Sequence, residues 1–157
     1  MSKVHTGSSW PLGSTITKRG VNFSVAAPSA NKLELLIFQN ASDQIPKQII
    51  PLDKSHHQSG DYWHIEVEGL TAGCNYCYKV FSAKGVEKDK FYSDFFLLDP
   101  CARLISGWDS YKRIGTTTST SEFSKNCLKS VVSERDSFNF EDHPRPKHEW
   151  NKTVIYE

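Results

Sequence analysis

The stretch Gly60–Ser82, GDYWHIEVEGLTAGCNYCYKVFS, decides the fold. It holds two runs with a period of two. In the first, Trp63, Ile65 and Val67 alternate with Tyr62, His64, Glu66 and Glu68. In the second, Tyr76, Tyr78 and Val80 alternate with Cys77, Lys79 and Phe81. Successive side chains leave a strand on opposite sides, so this pattern marks half-buried strands. Gly69 and Thr71-Ala72-Gly73 supply turn chemistry between the runs. The simplest expectation is a hairpin packed on a sandwich core.

The same reading extends outward. Ser14–Lys18 forms a short edge strand and Arg19-Gly20 a turn. Val21, Phe23 and Val25 alternate with Asn22, Ser24 and Ala26 in a strand that Pro28–Asn31 ends. Leu33–Phe38 is apolar on both faces, as a central strand is. Ile49–Leu52 is a short strand that Pro51 demotes to an edge. Asn40–Pro46 and Asp53–Ser59 are polar loops. Short strands about a dozen residues apart, each ended by turn residues, predict a β-sandwich with no helix over 14–82.

Beyond Ser82 the character changes. Ala83–Lys90 is a charged loop, and Phe95–Leu98 a short apolar run closed by Asp99-Pro100. From Ser106 to Trp150 periodicity fades, and Thr116–Ser121 reads TTTSTS. A structureless segment of this length suits a strap across another surface. Thr153–Glu157, TVIYE, begins a new apolar strand. The expected division is a module over 1–105, an irregular linker over 106–152, and the start of a further strand at 153–157.

The totals exclude several classes. A chain of 157 residues can bury one real core. Its net charge of +1 offers no broad field for nucleic acid or an anionic membrane. No apolar run approaches the ~20 residues of a membrane span. MSKVHTGSSW lacks the apolar centre of a secretory signal. Cys74, Cys77, Cys101 and Cys127 therefore read as thiols in a reducing, cytoplasmic compartment.

Six fragments carry a resemblance: Trp10–Gly13, Gly20–Ser24, Gly60–His64, Glu68–Leu70, Leu97–Pro100 with Ala102-Arg103, and Thr153–Glu157. In this order they resemble the N-terminal part of isoamylase-type glycogen or starch debranching enzymes of the α-amylase superfamily. The resemblance implies an immunoglobulin-like β-sandwich of the carbohydrate-binding-module type. A linker and a (β/α)8 catalytic barrel would follow, with TVIYE as the first barrel strand. The nucleophile and acid would lie in that barrel, so no catalytic residue is carried over. Three places depart from the family. Lys88–Phe96 reads KDKFYSDFF, Tyr76–Lys79 replaces a Tyr-Gly-Tyr-Arg strand, and Cys101 stands where Tyr is common.

The residue chemistry agrees with a non-catalytic module. Glycoside hydrolysis needs two opposed carboxylates. Among Asp61, Glu66, Glu68, Asp94 and Asp99, the pair Glu66 and Glu68 reads as a solvated strand face and Asp99 as a turn former. Cys74 and Cys77 spell CxxC without a second ligand pair, and in a strand their sulfurs diverge, so no metal is expected. His56, His57 and His64 read as surface histidines. No nucleophile elbow or phosphate loop appears, and no cofactor is implied.

Sugar contact is the open question. Glucans are held by aromatic faces with polar groups at the hydroxyls. Glucan-binding members of the resembled superfamily use tryptophans in two loops. These correspond here to Gln39–Ile45 and Ala83–Lys90, and neither holds an aromatic residue. Trp63 and Lys79 remain as candidate carbohydrate contacts. Trp63 shares the inward set with Ile65 and Val67, and Lys79 sits on a polar, sometimes sugar-contacting position of the superfamily. The expected function is the non-catalytic N-terminal module of an α-1,6-debranching hydrolase, partnered by its barrel and by α-glucan. The alternatives are a stand-alone glucan-binding module and an immunoglobulin-like interaction domain.

Overall fold

The computed structural model describes residues 2–82, 95–109, 111, 127–134, 147–154 and 156. Among the described residues, ten strands form two antiparallel sheets. The first contains β1 (Val4–His5), β2 (Gly13–Ile16), β3 (Gly20–Ala26), β6 (Gln58–Ser59) and β7 (Tyr62–Glu68). Its order is β1-β7-β3-β2, with β6 also paired to β7. The second contains β4 (Ala30–Phe38), β5 (Gln48–Leu52), β8 (Asn75–Ser82), β9 (Leu104–Ser106) and β10 (Lys129–Val131). Its order is β5-β4-β8-β10-β9.

Alternation chose the inward faces. Val21, Phe23, Val25, Trp63, Ile65 and Val67 come from the first sheet. Leu33, Leu35, Ile37, Ile50, Leu52, Tyr76 and Tyr78 come from the second. Between them lies one core, in which Phe23 and Tyr76 meet edge-on at 4.9 Å between ring centroids. Offset and edge contacts of this kind suit the ring quadrupoles. Gly20 is fixed by a close approach: a Cβ there would stand 2.1 Å from the Val67 carbonyl oxygen.

The deciding stretch does not make the expected hairpin. Strand β7 pairs with β3, and β8 pairs with β4. Gly69–Cys74 therefore carries the chain from one sheet to the other. Apolar alternation satisfies either solution, since both strands turn their apolar sets to the same core. The tight hairpin instead joins β6 to β7 through Gly60, whose φ of 59° lies in the left-handed region. A single helical turn, α1 (Lys54–His57), stands where only loop was expected, and the Asp53 side chain caps it by accepting from the Ser55 amide.

Within the segment read as an irregular linker, Lys129–Val131 pairs with β8 on one side and β9 on the other. Val132 follows, buried, and its amide donates to the Cys74 carbonyl at 2.9 Å. Three residues are too few to show a period of two, which is why this strand was not visible. Ile45 apart, Asn40–Pro46 is polar as read. The loop Ala83–Lys90, Asp94 and Thr116–Ser121 lie outside the described residues, as do Ile155 and Glu157 of the last stretch.

Candidate functional site

Trp63 is wholly buried, and its indole N–H donates to the Ala27 carbonyl at 3.2 Å. The ring has no face left for a sugar, so core packing describes it. Lys79 lies on the outer face of the second sheet, half-buried and opposite Glu34 in the β4–β8 register. Its Nζ sits 5.3 Å from the centroid of the Phe81 ring, and Lys32 Nζ sits 4.7 Å from the same ring. Lys32 also pairs with Glu34 at 2.6 Å. Strand alternation on β4 and β8 builds this patch: Lys32 and Glu34 are two apart, as are Lys79 and Phe81. It offers ammonium donors, a carboxylate acceptor and an aromatic ring on one face. That is the mix of groups a pyranose with hydroxyls requires. Sequence alone singles out Lys79 but does not place Phe81, Lys32 and Glu34 beside it, because their meeting depends on which strand pairs with β8.

The outer face of the first sheet carries a cleft of about 770 Å3, lined among others by His5, Arg19, Asn22, His56, His57 and Glu66. The segment 5–9 runs across this face and buries polar side chains that would otherwise be wet. Asn22 accepts from the Ser8 amide at 2.7 Å and donates to the Ser8 carbonyl at 2.9 Å. Ser24 Oγ donates to the Ser9 carbonyl at 2.8 Å. His64, expected at the surface, is 4% exposed, with Nδ1 2.9 Å from the Thr6 carbonyl and Nε2 2.8 Å from Ser59 Oγ.

Glu66 is likewise not on a solvated face. It accepts from the Thr17 hydroxyl at 2.6 Å and pairs with Arg19 at 2.9 Å. The Thr17 hydrogen bond, with help from Arg19, holds its carboxyl below the usual range. Glu68 is pulled the same way by His5, 2.5 Å away, and by Lys3 at 3.5 Å. Buried polar groups are normally satisfied in this manner. The cleft is thus a bonded support for the N-terminal strand, with its carboxylates engaged rather than opposed across a substrate gap.

Asp99 does more than form a turn. It is 3% exposed, accepts from the Tyr76 hydroxyl at 2.8 Å and from the Cys101 amide at 2.8 Å, and its own amide donates to Ser130 Oγ at 2.9 Å. Burial pushes its carboxyl up. Among the described residues the enclosed Tyr78 hydroxyl has no hydrogen-bond partner. Of the CxxC pair, Cys74 packs against the inter-sheet core and Cys77 on the opposite side with Leu36, Phe38 and Phe96. Among the described residues no group of His, Cys, Asp and Glu could hold a metal ion. None of their helices is long and apolar enough to cross a membrane.

Comparison with known proteins agrees with this architecture. The family model of carbohydrate-binding module 48, the isoamylase N-terminal domain, matches residues 11–102. The glycogen debranching enzymes of Pectobacterium atrosepticum and Cronobacter sakazakii are each 30% identical, over 164 and 161 residues. Both alignments cover 100% of this chain and 24% of the relative, so the chain spans about a quarter of their length. Among solved structures, the pullulanase of Bacillus acidopullulyticus superposes with a TM-score of 0.54 at 18% identity, over 79% of this chain and 12% of that one. The catalytic module of the pneumococcal glycogen-degrading virulence factor SpuA gives 0.55 at 18%, over 82% and 17%. At that identity the likeness speaks to the fold alone, but the sequence match over 11–102 carries further: the chain belongs to the family of carbohydrate-binding module 48, the isoamylase N-terminal domains.

Proposed function

We propose that this chain is the non-catalytic N-terminal module of an isoamylase-type debranching enzyme that hydrolyses α-1,6-glucosidic branches in glycogen or starch, in the cytoplasm. The observation that carries this reading is the match of the whole chain to a quarter of two glycogen debranching enzymes. Catalysis is assigned to a barrel beyond these residues, with Thr153–Glu157 as its first strand. Trp150, Val154 and Tyr156 stand 85%, 92% and 98% exposed, which suits side chains meant to be covered by another body. The module packs on that barrel and lends α-glucan one contact face, the Lys79 patch. Lys79 and Lys32 donate to sugar hydroxyls, Glu34 accepts from them, and Phe81 covers a pyranose face.

Two measurements test the reading. In native gels cast with glycogen, the chain is expected to be retarded, and Lys79→Ala to lose most of the retardation. Equal migration with and without glycogen removes the glucan contact. Reading the coding sequence past Glu157 tests the parent: a barrel frame agrees with it, whereas an unrelated frame leaves the interaction-domain alternative.

A further inference from the structure

The order β8-β10-β9 brings two thiols together that lie far apart in sequence. Ser130 stands opposite Tyr76 and Val131 opposite Asn75, so the end of β10 that points back toward Cys127 runs alongside Cys77. Cys77 is fully enclosed and Cys127 is 7% exposed. Cys77 Sγ donates to the Leu128 carbonyl oxygen at 3.6 Å, and the Cys77 and Cys127 thiols are near enough to influence each other's ionisation. The neighbouring Cys77 and the Lys129 ammonium pull the Cys127 thiol down, while Cys127 and burial push Cys77 up. Cys127 precedes the paired residues of β10, so its backbone can adjust to disulfide geometry without breaking a ladder bond.

We propose that Cys77 and Cys127 form a reversible redox couple, closed to a disulfide by a low-molecular-weight disulfide such as oxidised glutathione. Cys127, the more acidic and the less enclosed, attacks as thiolate. Its sulfur bonds to one sulfur of glutathione disulfide, the S–S bond breaks, and one glutathione thiolate leaves with the electron pair. Cys77 then gives up its proton and attacks the Cys127 sulfur, expelling the second glutathione thiolate. Two protein thiols are oxidised and one glutathione disulfide is reduced to two glutathiones. The product bridges β8 to the segment entering β10 and so locks the closing strand of the second sheet. Cys74 faces the inter-sheet core and Cys101 is exposed elsewhere, so neither competes from the same side.

The test uses the 157-residue chain carrying Cys74→Ser and Cys101→Ser. After incubation with excess oxidised glutathione, acid quenching and alkylation under denaturing conditions, both thiols should be unreactive. The mass should fall by two hydrogens, and a peptide map should join Cys77 to Cys127. Dithiothreitol should reverse all three, and the oxidised form should unfold several degrees higher than the reduced one. Adding Cys77→Ala should stop the reaction at a glutathione adduct on Cys127. Alkylation of both thiols after oxidation, or a stable glutathione adduct with Cys77 still present, overturns the proposal. Should Cys77→Ala not fold, Cys127→Ser serves instead, and rapid oxidation of Cys77 in that variant overturns it equally.

Discussion

Trp63 and Lys79 stand in opposite surroundings, one wholly buried between the sheets and the other half-buried on an outer face. Trp63 fills the space between the sheets, and truncation there removes a large buried ring and leaves a cavity. Trp63→Ala should cost about 3–5 kcal/mol, read by chemical denaturation, and should lower glucan retention only through unfolding. Lys79→Ala should leave the unfolding midpoint nearly unchanged, because Lys79 is half-buried on an outer face. Asp99 gives a pH signature. Burial raises its folded pKa above the usual 3.8, so protonation favours the folded state. The wild type gains this contribution as pH falls through the raised value, and Asp99→Asn cannot. The unfolding midpoint of Asp99→Asn, measured against the wild type, should therefore fall progressively behind as the pH drops below neutrality toward 4. A constant difference across that range would sink the assignment.

At the level of the elements, β10 matters more than its three residues suggest. It lies between β8 and β9, and Ser130 also accepts from the Asp99 amide. Proline within a central strand removes a ladder donor. Ser130→Pro should destabilise by more than about 3 kcal/mol, at the upper end of single-residue effects. A chain cut after residue 105 should unfold at a lower midpoint than one cut after 134, as followed by circular dichroism. Equal midpoints would return β10 to the linker. The strands themselves were legible wherever five or more residues alternate, as in β3, β7 and β8, or where a short run is apolar on both faces, as in β4. Their pairing was not. The hairpin expected across Gly69–Gly73 and the observed crossing between sheets bury the same side chains. The clamp of residues 5–9 over Asn22, Ser24 and His64 was equally hidden, since polar side chains on an outward face read as solvated until something lies over them.

For the whole molecule, acid should loosen the N-terminal clamp. Glu66 and Glu68 both have carboxyls held below their usual 4.5. Such groups stabilise the fold above that value and lose the contribution as pH falls through the lowered ones. Proteolysis within residues 2–9 should therefore accelerate below about pH 4, and Glu68→Gln, which loses the pairs with His5 and Lys3, should reach the faster rate already at neutral pH. At this scale the sequence by itself determined the class: alternation fixed which side chains turn inward, and six ordered fragments fixed the family. Tertiary structure alone decided which strand lies beside which. That choice placed Phe81, Lys32 and Glu34 around Lys79, enclosed Asp99, and brought Cys127 to Cys77. Alternation along a strand records the direction of each side chain relative to its own backbone. The neighbour across the sheet is set by long-range packing, and nothing in the local spacing encodes it.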